Sequence, residues 1–501
     1  MNNKVVLRVI VSYFIFGFAV ADNLQFADDF IFGVASASYQ VEGAWNESGK
    51  GENIWDRLTH DHPDWIADKT NGDIACDSYH KIEEDVRNLR WLGVDFYRFS
   101  LSWSRLLPSG FSNKINPDGV RYYNDLINEL LKYNITPMLT LFHWDLPQPL
   151  QEAGGWPNVL LADYFEDYAK IAFDNFGDRV KMWITFNEPQ QICQEGYSDG
   201  KMAPAYHSDG IADYLCGRTV LLAHAKAYHL YNKQFREKQQ GRVGITIDSS
   251  WFEPETNSTE DKNAAERAVQ IKFGWWAHPI FSKSGDYPEI MKERIDNNSK
   301  QELFTRSRLP PFSREEIKFI QGTHDFFGFN HYTTWLVREP RDNDSITWNT
   351  PSYSKDIGVI SYQDSTWPSS AASWLKVVPS GFKKVLNWIK NEYSNPEIYI
   401  TENGYADTGE LNDVNRVNYY EQYLQALLEA IHEDGCNIKG YAAWSLQDNF
   451  EWRDGFSVRF GLFRTELDAN RTRIAKQSAS VYKSIIKTKM IGAPPTVKNI
   501  N

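Results

Sequence analysis

Cysteine is scarce in this chain. Only four occur among 501 residues: Cys76, Cys193, Cys216 and Cys436. That is too few for a disulfide-stapled scaffold of this length. Cys193 and Cys216 could pair across a loop, and we expect Cys76 and Cys436 to be buried free thiols, because free cysteine is often buried. No Cys/His spacing typical of zinc and no glycine-rich phosphate loop occurs, so the sequence predicts no metal and no cofactor.

The sequence also lacks an excess of positive charge. Lys and Arg number 53 against 66 Asp and Glu, the net charge is −13, and no long basic run occurs. A nucleic-acid partner is therefore not expected. No Pro/Ser-rich linker, charge block or internal repeat marks a domain boundary. Because α/β barrels with insertions can exceed about 400 residues as one unit, we predict a single domain over residues 22–501.

Long apolar runs are absent except near the N-terminus, where residues 9–20 follow Lys4 and Arg8 and lead into Ala21. This run is too short to span a bilayer comfortably. It predicts a secretory signal peptide over residues 1–21, cleaved near Ala21, and a secreted protein without a membrane anchor after cleavage. In a secreted chain, Asn-X-Ser/Thr sequons are glycosylation sites, and we expect some of the six to be used. They begin at Asn46, Asn134, Asn257, Asn297, Asn343 and Asn470.

The chain does contain a regular alternation of short β-branched or aromatic runs with amphipathic helical stretches. The runs end near Ala35, Trp103, His143, Asn187, Asp248, Asn330, Glu402 and Trp444. One helical face carries Val120, Tyr123, Ile127 and Leu130; another carries Val417, Tyr420, Leu424, Leu427 and Ile431, and Gly435 stops it. Eight such repeats predict an α/β fold, a (β/α)₈ TIM barrel with long βα loops, whose active site lies at the C-terminal ends of the strands.

Two glutamates in similar settings indicate the chemistry. Glu188 lies in Thr-Phe-Asn-Glu-Pro and Glu402 in Ile-Thr-Glu-Asn-Gly, each at the end of an apolar run. Pro189 is expected to keep Glu188 extended at a strand end, and Gly404 to permit a sharp turn after Glu402. Either glutamate alone is more simply explained as a solvated residue where a strand leaves the core. Together they suggest the carboxyl pair that cleaves glycosidic bonds.

These motifs resemble the acid/base and nucleophile motifs of glycoside hydrolase family 1, the β-glucosidase family, in its secreted animal type. The resemblance runs from about residue 30 to residue 483. It includes FGVASASYQVEG (32–43), YRFS (97–100), FHWDLP (142–147), GFNHY (328–332) and WSLQDNFEW (444–452). It implies a retaining O-glycosyl hydrolase that acts on β-D-glucosides, either aryl or alkyl glucosides or short β-glucans.

In the mechanism that the resemblance implies, Glu402 attacks the anomeric carbon, while Glu188 donates a proton to the leaving oxygen and later deprotonates water. The two carboxyl groups are about 5 to 5.5 Å apart in retaining enzymes. Arg98 and Tyr332 are implied to lie beside Glu402 and to keep it ionised and oriented. Arg98 has an equally good explanation as a structural ion pair, and Tyr332 as a packed core residue.

The resemblance further implies a set of substrate-binding side chains. They are Gln40, His143, Asn187, Asn330, Tyr332, Trp374, Trp444, Glu451, Trp452 and Phe460. Trp444 matches the platform under the sugar ring and Trp374 the platform under the leaving group, and most of the others match hydroxyl binders. Turn formation, loop capping or core packing is an alternative explanation for most of them. Glu451 is harder to explain in this way, because a carboxylate between Phe450 and Trp452 needs an outward orientation or a polar partner.

The outer, leaving-group part of the site is less well defined by the resemblance. Gln190, Gln194, Phe252 and Glu253 are candidates to line it. Ser380 stands where an aromatic residue is expected, and Gln190 replaces a more usual apolar or aromatic residue. Both departures leave the leaving-group preference open.

Three alternatives to a β-glucosidase remain. A thioglucosidase acting on glucosinolates uses the same site; its plant type resembles this family with Gln at the position of Glu188, so Glu188 argues against the plant type only. Galactosidase or fucosidase activity depends on how Gln40, Glu451 and Trp452 contact the 4-hydroxyl. A non-catalytic sugar-binding protein typically lacks one of the two glutamates, and both are present. The sequence is compatible with a monomer or a homodimer.

Overall fold

Eight parallel strands form a closed barrel in the computed structural model, which describes residues 25–468 and 470–492. The strands are β1 (Ile31–Ala35), β2 (Phe96–Ser100), β3 (Thr136–Phe142), β4 (Met182–Asn187), β5 (Arg242–Asp248), β6 (Phe327–Asn330), β7 (Ile398–Asn403) and β8 (Ile438–Trp444). Each strand pairs with its neighbours in chain order, and β1 closes the barrel against β8 with Ala35 opposite Trp444. The predicted (β/α)₈ barrel is confirmed. The predicted signal peptide lies outside the described residues and stays a prediction, as does the single domain over 22–501.

The strands are apolar because both of their faces are covered. Every residue of β4 and β7 is buried, as expected for a parallel sheet with side chains inside the barrel and helices outside it. Seven of the eight predicted run ends fall within one residue of an observed strand end. The exception is Trp103, because β2 ends at Ser100 and Trp103 begins a short helix, Trp103–Leu106.

Helices surround the barrel in the connections between strands. Those of seven residues or more are Ile54–Asp61, Ile82–Leu92, Pro117–Lys132, Leu161–Phe176, Ala212–Gln234, Thr259–Val269, Trp275–Phe281, Glu289–Gln301, Arg314–Ile320, Pro379–Glu392, Val414–His432 and Gln477–Thr488. The shorter ones are Ser38–Val41, Trp103–Leu106, Gln148–Glu152, Arg236–Gln239 and Tyr353–Ile357. Both predicted helical faces pack inward, with Tyr123, Ile127 and Leu130 buried on one and Tyr420, Leu424 and Leu427 buried on the other.

Long loops at the C-terminal ends of the strands carry additional structure. Strands Trp251–Pro254, Thr334–Arg338 and Ile360–Tyr362 form a small sheet, and Phe463–Thr465 pairs with Arg473–Ala475. Short 3₁₀ segments lie at Pro63–Trp65 and Trp452–Asp454, and π-helical turns at Gln191–Glu195 and Gln270–Gly274. These insertions build the walls above the barrel mouth.

The four cysteines divide into one disulfide and two thiols. Cys193 is bonded to Cys216, with Cα atoms 5.5 Å apart, and Cys76 and Cys436 are buried and free as expected. The disulfide joins the turn after β4 to helix Ala212–Gln234. Among residues 25–468 and 470–492, no helix is both long enough and apolar enough to cross a bilayer.

Candidate active site

Glu188 lies directly after β4, at the point where the strand gives way to a helical turn. Its backbone N–H donates to the carbonyl of Thr246 (3.0 Å), and its carbonyl accepts from the backbone N–H of Gln191 (3.0 Å). Its φ is +51°, which is left-handed, so the expected extended conformation is wrong. Pro189 does exclude the right-handed helical region for Glu188. However, helical structure starts at Pro189 itself, and Glu188 joins the strand to this helical turn in a left-handed conformation.

Glu402 lies within β7, one residue before the strand ends at Asn403. The register of β7 against β6 shifts between Ile400 and Glu402, and such an irregularity changes the direction of a side chain at a barrel rim. Gly404 is required for close packing, because a Cβ on it would lie 2.0 Å from the carbonyl oxygen of Trp444. Its role is therefore to let two chain segments approach closely, since its backbone is not left-handed and no turn forms at residues 404–406.

A cation and a phenol hold the Glu402 carboxylate. Arg98 Nη1 donates to Glu402 Oε1 (2.6 Å), and the Tyr332 hydroxyl donates to Oε2 (2.8 Å). Arg98 also donates to the side chain of Asn187 (2.6 Å) and to the carbonyl of Thr401 (3.0 Å). Burial raises the pKa of Glu402, while Arg98 and Tyr332 oppose that rise. These contacts favour the ionised form of Glu402.

Glu188 has the opposite surroundings. Its Oε1 accepts from Asn330 Nδ2 (2.7 Å), and no cation makes an ion pair with it among the described residues. Burial raises the pKa of Glu188 well above its ordinary value, and the negative charges of Asp248 and then Glu402 raise it further. Asn330 also donates to Asn187 (3.1 Å), which in turn accepts from Arg98. The Asn330 side chain therefore connects the Glu188 carboxyl group with the residues that hold Glu402. Two nearby carboxyl groups whose pKa values are pushed apart are suited to acid and base roles.

Both glutamates line one cavity of about 670 Å³ at the C-terminal ends of the strands. Nine of the ten predicted substrate-binding residues line it with them. They are His143, Asn187, Asn330, Tyr332, Trp374, Trp444, Glu451, Trp452 and Phe460. The cavity thus brings together side chains that are distant along the chain.

His143 is a neutral hydrogen-bonding group in this cavity. Asn187 Nδ2 donates to its Nε2 (3.1 Å), which assigns the ring proton to Nδ1, a buried atom without a partner among the described residues. Burial and the charge of Arg98 lower the pKa of His143 well below its ordinary value. Its ring stacks parallel to Trp444, with centroids 5.9 Å apart. His143 can therefore donate a hydrogen bond beside the Trp444 ring.

Gln40 lies behind the cavity wall. It is fully buried, and its amide donates to Asn449 Oδ1 (3.0 Å), to the carbonyl of Phe450 (2.9 Å) and to Glu451 Oε2 (3.3 Å). Its Oε1 has no partner among the described residues. Burial first, and then the charge of Asp454, raise the pKa of Glu451 to about 8. Gln40 thus orients Glu451, which itself faces the cavity.

Trp374 stands at the outer edge of the cavity. It is 39% exposed, and its ring lies near Tyr332 (5.6 Å) and parallel to Phe460 (6.4 Å). Ser380, the departure noted in the sequence, lies exposed near the start of helix Pro379–Glu392 and does not line the cavity.

The four outer candidates do not all reach the cavity. Gln190, Gln194 and Phe252 line it, whereas Glu253 does not. The Glu253 carboxylate instead accepts from Lys384 (2.7 Å) on helix Pro379–Glu392.

Sequence reasoning missed several polar residues of the outer cavity, among them Glu195, Asp248, Lys272 and Tyr353. Asp248 is the last residue of β5, and the rule that sites gather at strand ends could have found it. Lys272 comes from the connection between β5 and β6 and Tyr353 from the connection between β6 and β7, and no local pattern distinguishes either residue.

Glu188 and Glu402 are buried carboxyl groups that line one cavity at the mouth of the barrel. Glu402 is paired with an arginine and Glu188 is not, and this arrangement defines a glycosidase built on a barrel. The family model described as glycosyl hydrolase family 1 matches residues 22–491. The chain belongs to this family and is an O-glycosyl hydrolase of the β-glucosidase type.

Individual relatives agree with this assignment. Myrosinase 1 of Brevicoryne brassicae is 48% identical over 93% of this chain and 99% of its own length. The cytosolic beta-glucosidase of Cavia porcellus is 42% identical over 94% of this chain and 100% of its own. The solved structure of an aphid myrosinase superposes with a TM-score of 0.89 at 47% identity, covering 93% of this chain and all of that one.

Proposed function

We propose that this enzyme is a retaining β-glucosidase that hydrolyses β-D-glucosides by double displacement. The observation that carries the proposal is the pair of buried carboxyl groups in one cavity with opposite electrostatic surroundings. Glu402 is held by Arg98 and Tyr332, whereas Glu188 faces Asn330 and Asp248.

In the first step, a Glu402 carboxylate oxygen attacks the anomeric carbon as the bond to the leaving oxygen breaks. Glu188 transfers its proton to that oxygen, so the leaving group departs neutral and Glu188 becomes a carboxylate. The negative charge of Glu402 raises the pKa of Glu188 before this step, and esterification of Glu402 removes that charge. Loss of that charge lowers the pKa of Glu188, so Glu188 stays ionised after it has given up its proton and is available as the base of the second step.

In the second step, water attacks the anomeric carbon of the glucosyl ester. Glu188 takes one proton from the water, the bond between the carbon and Glu402 breaks, and Glu402 leaves as a carboxylate. Glucose is released with its original anomeric configuration, because the carbon has been inverted twice.

Side chains around the pair hold the sugar ring. Asn187, already oriented by Arg98 and His143, binds the 2-hydroxyl, a contact that strengthens in the transition state. Glu451, oriented by Gln40, binds a hydroxyl on the far side of the ring. The other sugar contacts are Trp444 as ring platform, Trp452, Phe460 near the 6-hydroxyl, Asn330 and Tyr332. A galactosidase or fucosidase preference is tested by the corresponding nitrophenyl glycosides.

A thioglucosidase acting on glucosinolates is the second candidate, because the chain is 48% identical to Myrosinase 1 of Brevicoryne brassicae. A sulfur leaving group needs less proton donation than an alkoxide, so the two activities differ in their dependence on Glu188. Comparing kcat/KM for allyl glucosinolate with that for aryl and alkyl β-glucosides distinguishes them.

We also propose secretion through residues 1–21 and glycosylation in the exposed sequons. The asparagines of all six sequons are exposed, namely Asn46, Asn134, Asn257, Asn297, Asn343 and Asn470. Because a relative is named a cytosolic beta-glucosidase, family membership alone does not fix the compartment. Expression of the full chain in a eukaryotic secretory host, followed by N-terminal sequencing and glycosidase treatment of the medium, tests both proposals. Size-exclusion chromatography with light scattering separates monomer from homodimer.

A mechanism-based label tests the nucleophile. The wild-type enzyme is incubated with a 2-fluoro-glucoside carrying dinitrophenolate, and the labelled peptide is located by mass spectrometry. We expect the label on Glu402. A label on another residue, or no label while the enzyme turns over aryl glucosides, would count against the mechanism.

Substitution of Glu188 tests the acid. Glu188→Ala should slow alkyl glucosides by roughly 10² to 10⁴, the usual contribution of acid–base catalysis. Formation of the glucosyl-enzyme from dinitrophenyl glucoside should be nearly unchanged, because that leaving group needs no proton. The control is Glu289→Ala, whose side chain is 72% exposed on helix Glu289–Gln301. Equal losses on both substrates would refute the role of proton donor.

A further inference from the structure

Lys272 is a cavity residue that the two-step mechanism does not use. It lines the barrel-mouth cavity together with the two catalytic glutamates, and it lies on the π-helical turn Gln270–Gly274. Ile271 and Phe273 on either side of it are fully buried, so the turn is packed against the core while Lys272 reaches the cavity. Single π-helical turns are rare and are frequent at functional sites.

The Lys272 ammonium group is unpaired. No ion pair or hydrogen bond joins it to any residue in 25–468 or 470–492, and it lies 5.6 Å from the centroid of the Phe252 ring. Two other lysines with little exposure are paired with carboxylates: Lys50 is 2.7 Å from an aspartate, and Lys476 is 2.8 Å from another. Charges removed from water are normally paired in this way, so the side chain of Lys272 is better suited to reaction than to structural support.

The surroundings of Lys272 favour its neutral amine. Burial lowers the pKa of Lys272, and the charge of Lys201 lowers it further, while Asp248 and Glu195 oppose this shift without cancelling it. A lysine that is desolvated or lies next to another cation is the activated kind that forms imines with carbonyl compounds. Lys272 meets both conditions.

A carboxyl group near Lys272 can supply the proton transfers that imine formation needs. Glu195 lines the same cavity, and Lys272 and Glu195 each influence the other's pKa. Burial first, and then the charge of Asp199, raise the pKa of Glu195 to about 7. A group whose pKa lies near the working pH is effective in general acid–base catalysis. An amine nucleophile and a carboxyl acid therefore form a second reactive pair in the cavity.

The walls around this pair indicate a neutral, flat ligand. Phe252 pairs in register with Trp335 on the small sheet, so both side chains project from the same face of that sheet, and both line the cavity. The negative charge of Asp248 disfavours an anion beside Lys272, whereas it does not repel a neutral carbonyl group. An aromatic aldehyde matches these walls, because the rings can cover its ring while the amine meets its carbonyl carbon.

We propose that Lys272 is a covalent carbonyl-binding site, at which an aromatic aldehyde forms a reversible imine. This activity is separate from glycoside hydrolysis and does not depend on which glycoside the enzyme cleaves. The imine would occupy the part of the cavity outward of Glu188. Aromatic aldehydes, including any released as a leaving group, would therefore inhibit hydrolysis reversibly.

The reaction needs no oxidant or reductant. The Lys272 nitrogen forms a bond to the carbonyl carbon, and one of its protons moves to the carbonyl oxygen, which gives a carbinolamine. Protonated Glu195 then donates its proton to this hydroxyl group, the carbon–oxygen bond breaks, and water leaves. The nitrogen lone pair forms the carbon–nitrogen double bond, and the remaining proton on nitrogen returns to the Glu195 carboxylate.

Reductive trapping tests the site. The full-length wild-type enzyme is incubated at pH 7 with benzaldehyde and sodium cyanoborohydride, and labelled peptides are identified by mass spectrometry. We expect a benzyl group on Lys272 before exposed lysines react. Without the reductant, benzaldehyde should inhibit hydrolysis of nitrophenyl β-glucoside, and dilution should restore the activity. Benzyl alcohol, which has the same ring and no carbonyl group, should inhibit less strongly.

Three variants identify the reacting groups. Lys272→Arg keeps the charge but has no amine that forms an imine, so it should lose this label and respond to benzaldehyde no more than to benzyl alcohol. Glu195→Gln should slow labelling of Lys272 by roughly 10², at the low end of acid–base catalysis. The control is Lys384→Arg, which replaces a lysine whose side chain is 48% exposed and paired with Glu253; it should leave the labelling of Lys272 unchanged.

The inference is overturned if the label falls on exposed lysines and not on Lys272, or if benzyl alcohol inhibits the wild type as strongly as benzaldehyde does. Both measurements use the wild type and do not depend on the folding of a variant. Undiminished inhibition of Lys272→Arg by benzaldehyde would also overturn it, once labelling of Glu402 by the 2-fluoro-glucoside shows that the variant is folded. Hydrolysis and labelling of Glu402 by the wild type are measured separately, so the proposed function survives each of these results.

Discussion

The buried ion pair between Arg308 and Asp356 gives the sharpest stability prediction. Asp356 is fully buried and lies on the short helix Tyr353–Ile357. Arg308 donates to both of its oxygens (2.7 and 2.6 Å), and Tyr214 (2.6 Å) and Asn298 (2.8 Å) donate to them as well. One carboxylate thus accepts four hydrogen bonds without access to water.

Removing this carboxylate takes away the two shortest contacts of the buried Arg308 charge and leaves Glu302 (3.2 Å), which Lys355 (2.8 Å) shares, as its remaining carboxylate partner. Breaking such a pair costs about 3–5 kcal/mol, so Asp356→Ala should lower the free energy of unfolding by that amount. Replacing both partners, as Arg308→Met with Asp356→Leu, should recover most of the loss, because no uncompensated charge remains. The control is Asp174→Ala. Its pair with Lys170 has side chains 47% and 46% exposed, and such a pair contributes about 0–1 kcal/mol.

Equilibrium urea unfolding followed by tryptophan fluorescence measures these differences, once refolding from urea is shown to restore the native signal. The reasoning fails if Asp356→Ala costs no more than Asp174→Ala. It also fails if the double variant is as unstable as the sum of the two single variants, since the penalty would then not come from an unpaired charge.

Three further predictions follow from the site and its supports. The pKa of Glu188 is raised by the charge of Asp248, so Asp248→Asn should lower that pKa and move the alkaline limb of the kcat/KM profile to lower pH; an unmoved limb in a pH series would contradict this. Gly404→Ala would place a Cβ 2.0 Å from the Trp444 carbonyl oxygen, and overpacking of this kind costs about 1–3 kcal/mol; we expect lower stability together with a lower kcat, and an unchanged kcat would show that Glu402 is insensitive to this contact. Cys193→Ser with Cys216→Ser opens a cross-link between residues 23 apart in sequence, and its loss should cost about 3 kcal/mol in urea unfolding; an equally stable variant would show that the surrounding contacts suffice.

The barrel could be predicted because its signal is local. Apolar runs such as Met182–Asn187 are buried on both faces, and amphipathic stretches such as Pro117–Lys132 pack one face, so each element carries its own pattern. Glu188 and Glu402 were found from their short motifs, and their position at predicted strand ends supported them independently. The backbone conformation of individual residues was harder to predict. The left-handed conformation of Glu188 depends on a helix that starts at once with Pro189, and the expectation of an extended residue missed it.

The outer cavity could not be predicted in the same way. Lys272 and Tyr353 belong to two different connections, before and after β6, and only the folded chain brings them to the cavity that Asp248 lines. Glu253 shows the converse, because it was a candidate for this region but pairs with Lys384 elsewhere. Residues at strand ends inherit their position from the barrel, whereas residues in insertions take theirs from contacts between distant segments.

The disulfide bond between Cys193 and Cys216 separates the segment that carries Glu188 from the following segment, which lines the outer cavity. Cys193 lies five residues after Glu188. The chain then forms a loop that includes residues 194–209 and returns to the disulfide at Cys216. The base of this loop is covalently fixed, so its tip can accept new side chains without transmitting strain to the proton donor. Evolution or a protein engineer can therefore exchange the tip to retune leaving-group preference while the chemistry beneath it stays intact.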